Sequence, residues 1–206
     1  MVDISDKHIS EISSTSIYFD EETRNRISHF NCNFNKLTKL LQMPNLLYLW
    51  CQTNNLVALN KMPYLLELNC CCNKISALPD MPFLLELNCS HNNLTLLPKN
   101  LSKLTVLTCS CNKISALPYM PVLIFLECSY NNLTSLPDNM QNLETLYCND
   151  NNISSLPDMP KIETLKCGNN NLTSLPDNMQ NLETLYCNDN NISSLPDMPN
   201  IKTLKF

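Results

Sequence analysis

The chain has 206 residues, 44% of them hydrophobic and 16% charged, with a formal net charge of -5. That balance belongs to a folded globular protein and not to a disordered one, and its acidic sign argues against nucleic acid or an anionic membrane as the main partner. No apolar run approaches the ~18 residues of a membrane span, and the N-terminus, with Asp3 and Asp6 early, lacks the apolar core of a secretion signal.

Residues 1–26 fit no repeat. Ile4, Ile9, Ile12, Ile17, Tyr18 and Phe19 offer apolar contacts and Asp20-Glu21-Glu22 adds charge, so the segment reads as an N-terminal cap with a polar outer face. From Phe30 onward the pattern L-x-x-L-x-C-x-x-N-x-[LI]-x-x-L-P returns with a period of about 20 residues, some units being one residue longer than others. Residues 27–206 therefore form a solenoid of nine repeats plus a terminal strand. Its Asn column is Asn35, Asn54, Asn73, Asn92, Asn112, Asn131, Asn151, Asn170 and Asn190. Three residues before each stands a Cys, in positions 32, 51, 70, 89, 109, 128, 148, 167 and 187.

Each letter of the unit has a physical reading. Around Glu67-Leu68-Asn69 the chain alternates out-in-out, the period of a strand, so Leu68 and Cys70 point inward. Successive strands then stack as a parallel sheet on the concave face. After the strand the chain turns inward, and its buried N–H and C=O groups need partners. An Asn side chain, donor and acceptor at once, can bridge adjacent coils. The return path runs Leu-Pro-x-Met-Pro, as in Leu78-Pro79-Asp80-Met81-Pro82. Prolines that close together forbid a helix interior and favour extended or 3₁₀ backbone on the convex side. The longer units carry their extra residue on this path, as in Leu136-Pro137-Asp138-Asn139-Met140, and a surface turn tolerates such a change.

The C-terminal half records duplication: residues 131–160 recur letter for letter as 170–199, a shift of 39. Such recent copies have had little time to diverge into a unique site. The chain closes on Ile201-Lys202-Thr203-Leu204-Lys205-Phe206, a strand with no visible cap. An open edge of this kind is a template for pairing, so either a homodimer through it or a last coil that frays is expected.

Short units ending in L-P-x-M-P resemble the leucine-rich repeats of bacterial effector proteins of the YopM and IpaH type. The Cys- and Asn-rich, Gly-poor composition is also similar to leucine-rich-repeat proteins of giant viruses. The resemblance covers Phe30 to Phe206 and implies a leucine-rich-repeat horseshoe that works as a protein-holding adaptor inside a host cell. Some family members add a ubiquitin-ligase domain after the repeats; no residues here correspond to it.

The concave outward columns collect Tyr48, Trp50, Leu66, Leu85, Val106, Ile124, Phe125 and Tyr130 in the N-terminal half. Their counterparts in the C-terminal half, such as Glu144, Thr145, Tyr147, Thr164, Lys166 and Tyr186, are mostly polar. An apolar concave patch reads as a partner-binding surface. It reads equally as side chains tucked under neighbouring coils or covered by residues 1–26. Cys72, His91 and Cys111 share one column and could converge on zinc; no metal and no cofactor is expected, because the outer two stand two coils apart. No nucleophile–base arrangement or phosphate loop is present, so the protein reads as a non-enzymatic interaction scaffold. Facing columns of free thiols place it in a reducing, cytoplasmic setting.

Overall fold

The computed structural model describes residues 1–12 and 19–206; Ile17 and Tyr18 lie outside them. Among the described residues, eleven strands form a single parallel sheet in chain order. They are β1 (Val2–Asp3), β2 (His29–Asn31), β3 (Tyr48–Trp50), β4 (Glu67–Asn69), β5 (Glu86–Asn88), β6 (Val106–Thr108), β7 (Phe125–Glu127), β8 (Thr145–Tyr147), β9 (Thr164–Lys166), β10 (Thr184–Tyr186) and β11 (Thr203–Lys205). One short helix, α1 (Glu21–Arg26), is capped by the Asp20 carboxylate, which accepts the Thr23 N–H at 2.7 Å.

Each coil repeats the same inward set. In the coil that carries β4 these are Leu68, Cys70, Ile75, Met81 and Leu84, all 1% exposed or less. The turn back to the strand is a tight one in which Leu84 N–H donates to the Met81 carbonyl at 3.2 Å, with Pro82 in the second position that proline pre-sets. In the longer units Leu101, Met140 and Met179 fill the same inner place as Met81, so the extra residue loops outward and leaves the core unchanged.

The Asn column is the bridge its chemistry implies. Asn112 Oδ1 accepts the Leu94 N–H of the preceding coil at 2.9 Å. Its amide donates back to Cys89 O at 3.0 Å and to Cys109 O and Ser110 O of its own coil. Asn54, Asn131 and Asn170 repeat the set, each buried.

A second ladder is silent in the consensus. The residue just before each Asn, from Phe34 and Thr53 through Cys72, His91 and Cys111 to Asp189, adopts a φ of 53 to 58°. Non-glycine residues enter this left-handed region at a cost of about 1–2 kcal/mol. Inter-coil bonds hold them there: Thr53 N–H donates to Cys71 O at 2.9 Å and His91 N–H to Ser110 O at 2.8 Å.

At the start of the chain, residues 2–9 join the sheet that the repeats build. Val2 pairs with Phe30, Ile4 N–H donates to Asn31 O at 2.8 Å, and Lys36 N–H donates to Ile9 O at 2.8 Å. These are the bonds that the strand Leu, the Cys and the following Leu or Ile make in every later coil. Asp6, with φ 53°, even occupies the left-handed position. Residues 2–9 are therefore a degenerate first coil with Lys7 in the Asn place, and Asn35 bridges to it through Ile4 O, Lys7 N–H and Ile9 N–H. Helix α1 follows on the return path, and Phe19 packs edge-on against Phe30 at 6.0 Å.

Replacing Asn112 by Ala strands the Leu94 N–H inside the stack and leaves the Cys89 and Cys109 carbonyls with only the Asn92 and Asn131 amides as side-chain donors. The urea midpoint should fall by an amount equivalent to about 1–3 kcal/mol for each group left unpaired. Asp158→Ala on the exposed convex turn should move it little, and equal midpoints for the two variants would refute the bridging role. Thr53→Asn should raise the midpoint, because Asn tolerates the left-handed conformation that a β-branched residue resists; a lowered midpoint would show that Thr53 is not strained.

Candidate functional site

The alternation that buries the strand centres sends two columns out on the other face. The first runs His29, Tyr48, Glu67, Glu86, Val106, Phe125, Thr145, Thr164, Thr184, Thr203. The second runs Asn31, Trp50, Asn69, Asn88, Thr108, Glu127, Tyr147, Lys166, Tyr186, Lys205. In-register pairing makes each residue a side-by-side neighbour of its counterpart in the next coil.

Three groupings result. At the N-terminal end the His29 and Tyr48 rings stack at 4.4 Å, Trp50 lies 6.1 Å from Tyr48, and its indole N–H donates to Glu67 Oε1 at 2.7 Å. In the middle Phe125 meets Tyr147 edge to face at 5.8 Å. Toward the C-terminus the Lys166 ammonium sits between two rings, 4.5 Å from Tyr147 and 5.4 Å from Tyr186.

Of the eight residues the sequence selects, Tyr48, Trp50, Val106 and Phe125 face outward from strands, each half-buried. Leu66, Leu85 and Ile124 sit one residue ahead of their strands, along one margin of the sheet; Leu85 and Ile124 remain 42% and 41% exposed. Tyr130, 59% exposed, lies at the opposite margin in the left-handed column. The eight are therefore spread over both margins, and Glu67 and Glu86 separate Tyr48 from Val106 in the first column. Reading the sequence alone merged four columns into one patch and so hid these acidic residues.

Along the margin that carries the left-handed column, from the coil of His91 to that of Lys166, the sheet forms an open hollow of about 530 Å³. Tyr130, Glu127, Tyr147, Lys166, His91 and Cys111 are among its lining residues. Sequence reading did not single out Glu127, which faces outward only because the second column does. The column Cys72, His91, Cys111 is in place, but among the described residues no three His, Cys, Asp or Glu side chains are grouped to hold a metal. No described helix is long and apolar enough to cross a membrane.

All twelve cysteines are free thiols, and the nine of the repeat column are buried. Burial raises the thiol of Cys187 to about 11 and those of Cys32 and Cys148 to about 12, and pushes Cys51, Cys89 and Cys128 well above their ordinary value. These thiols are packing groups, not nucleophiles.

Two matches to a family model for leucine-rich repeats in two copies cover residues 121–161 and 141–178. Among solved structures, YopM, a leucine-rich effector protein from Yersinia pestis, is 32% identical with a TM-score of 0.77, over 84% of this chain and 52% of that one. The functional domain of InlJ from Listeria monocytogenes, which includes a cysteine ladder, is 30% identical with a TM-score of 0.84, over 94% of this chain and 45% of that one. A leucine-rich-repeat protein of Leptospira interrogans, 22% identical with a TM-score of 0.78, shares the fold over 100% of this chain and 62% of its own. The chain thus has the leucine-rich-repeat solenoid fold that these structures share. It spans about half the length of YopM and InlJ. No curated protein sequence matches it.

The buried thiols give the fold a signed pH dependence. Their native pKa values lie above the unfolded value of about 8.5, so above that pH the unfolded chain binds fewer protons than the native one and stability falls. The loss begins near pH 8.5 and continues toward pH 11–12, where Cys187 and then Cys32 and Cys148 ionise in place. Each thiol ionised only in the unfolded chain contributes about 1.4 kcal/mol per pH unit, and the column holds nine. Urea midpoints measured at pH 7, 9 and 10 should drop steeply across the last two. A flat profile would mean that the column is not buried.

Proposed function

We propose that this solenoid is a non-enzymatic scaffold that holds a protein partner across its concave face, in the cytoplasm of the cell where it acts. Leucine-rich-repeat proteins typically bind protein partners, and YopM and InlJ share this chain's repeat architecture. The observation that carries the reading is the set of large apolar side chains left facing out beside the sheet: stacked Tyr48 and Trp50, Phe125, and the exposed Leu85, Ile124 and Tyr130. Aromatic anchors at the centre of a concave surface supply most of the energy of typical interfaces. Leu66 on the sheet margin and Val106 on its strand add apolar surface beside the anchors. Twelve free thiols suit a reducing compartment, and likeness to the effector YopM supports an effector-like role inside a host cell.

A pull-down compares the intact chain with the Tyr48→Ala, Trp50→Ala, Phe125→Ala triple variant and with Val57→Ala, an exposed residue away from that face. A protein retained by the intact chain and by Val57→Ala should be lost by the triple variant, with affinity lowered at least tenfold, since truncating one anchor costs about 1–2 kcal/mol. Equal capture by all three would sink the concave-face reading. The alternative, self-association through β11, is supported by Leu204 and Phe206 being 49% and 60% exposed. Light scattering of the same samples over a dilution series reads it as a doubled mass at high concentration, and a constant monomer mass rejects it.

A further inference from the structure

Three thiols escape the core: Cys72 is exposed and Cys71 and Cys111 are half-exposed. Cys71 and Cys72 are consecutive, and their Sγ atoms lie 3.2 Å apart. Two backbone bonds fix the pair: Cys71 N–H donates to Asn69 Oδ1 at 3.2 Å and Cys72 N–H to Ser90 O at 3.0 Å. The left-handed φ of 57° at Cys72 turns the chain between them.

The spacing discriminates among the things two thiols can do. A disulfide needs sulfur atoms about 2.05 Å apart, so the pair is a dithiol. Two thiolates on a tetrahedral zinc ion, each at about 2.3 Å, stand about 3.8 Å apart, wider than this pair. With bonds of that same length, a separation of 3.2 Å subtends about 90° at the central atom. An angle near 90° belongs to a pyramidal trivalent metalloid, whose lone pair occupies the remaining direction. Cys111 stands two coils on and does not join a three-donor group with them. Burial and the neighbouring Cys72 raise Cys71 to about 12, so at neutral pH Cys71 keeps its proton. That favours a ligand that carries the protons away over a simple cation that requires thiolates.

We propose that Cys71 and Cys72 form a chelating site for trivalent metalloids of the arsenite type. With an organoarsenic oxide the step is redox-neutral. Two As–S bonds form, the As=O bond breaks, and its oxygen leaves with both thiol protons as one water molecule. Arsenic stays trivalent. The site lies in the left-handed column at the sheet margin, three coils before Tyr130, and its chelating chemistry does not depend on what the concave face binds.

The test uses the full chain, reduced and then freed of reductant, with phenylarsine oxide as probe and native thiol counting as readout. One equivalent of the arsenical should remove two of the accessible thiols, and the complex should survive excess glutathione. Cys72→Ser should weaken binding on the order of 100-fold, because a one-point contact replaces an intramolecular second bond. Cys111→Ser should bind as the parent does. Cys72 is exposed, so an unchanged urea midpoint separates a lost site from a lost fold. Failure of the parent to lose two thiols, unchanged affinity in Cys72→Ser, or loss of binding in Cys111→Ser would each overturn the assignment. So would zinc binding that displaces the arsenical, since a tetrahedral site would then be present.

Discussion

The fold rests on one side-chain amide per coil. Turning the chain inward after every strand leaves N–H and C=O groups in the interior that no strand or helix can satisfy. Each Asn closes that deficit across the seam, accepting from the coil before and donating to carbonyls of both coils, as Asn54 does with Leu37, Cys32 and Cys51. Because the bridge reaches back one coil, it fixes register as well as pairing, and eleven very short strands can share one sheet though none is long enough to be stable alone. The extra residue of the longer units sits on the convex return, away from this seam, which is why both lengths coexist.

The same seam sorts the thiols. The Cys of each unit lies just inside it and packs as a small apolar group with its proton locked on. The position two residues on lies outside, held left-handed by inter-coil bonds, and its occupants point to solvent. Cys72, His91, Cys111 and Tyr130 share one backbone geometry, so their chemistry varies while their placement does not. A solenoid of this kind is a fixed lattice of addresses, and function depends on what occupies them. The duplicated units show this: Tyr147 and Tyr186 are copies two coils apart, and Lys166, from the short unit between them, lodges its ammonium between both rings.

The periodicity of the sequence by itself determined the parallel solenoid, the inward Leu and Cys columns, the bridging Asn and the helix-free convex return. Each of these follows from local alternation, from the two-sided hydrogen bonding of an amide, or from proline's fixed φ, and none needs a long-range contact to be read. Residues 2–9 escaped because a coil can be kept by backbone bonds alone: Val2, Ile4, Lys7 and Ile9 make the contacts of a repeat without its letters. The left-handed ladder escaped for a related reason, since its occupants include Phe, Thr, Cys and Tyr, none of which signals a positive φ. Only the tertiary structure decided how the concave residues group, because neighbours across coils stand a full repeat apart in sequence and meet through register and side-chain direction. That is what set Trp50 on Glu67, placed Glu127 at the hollow, and parted Tyr130 from Leu66, Leu85 and Ile124.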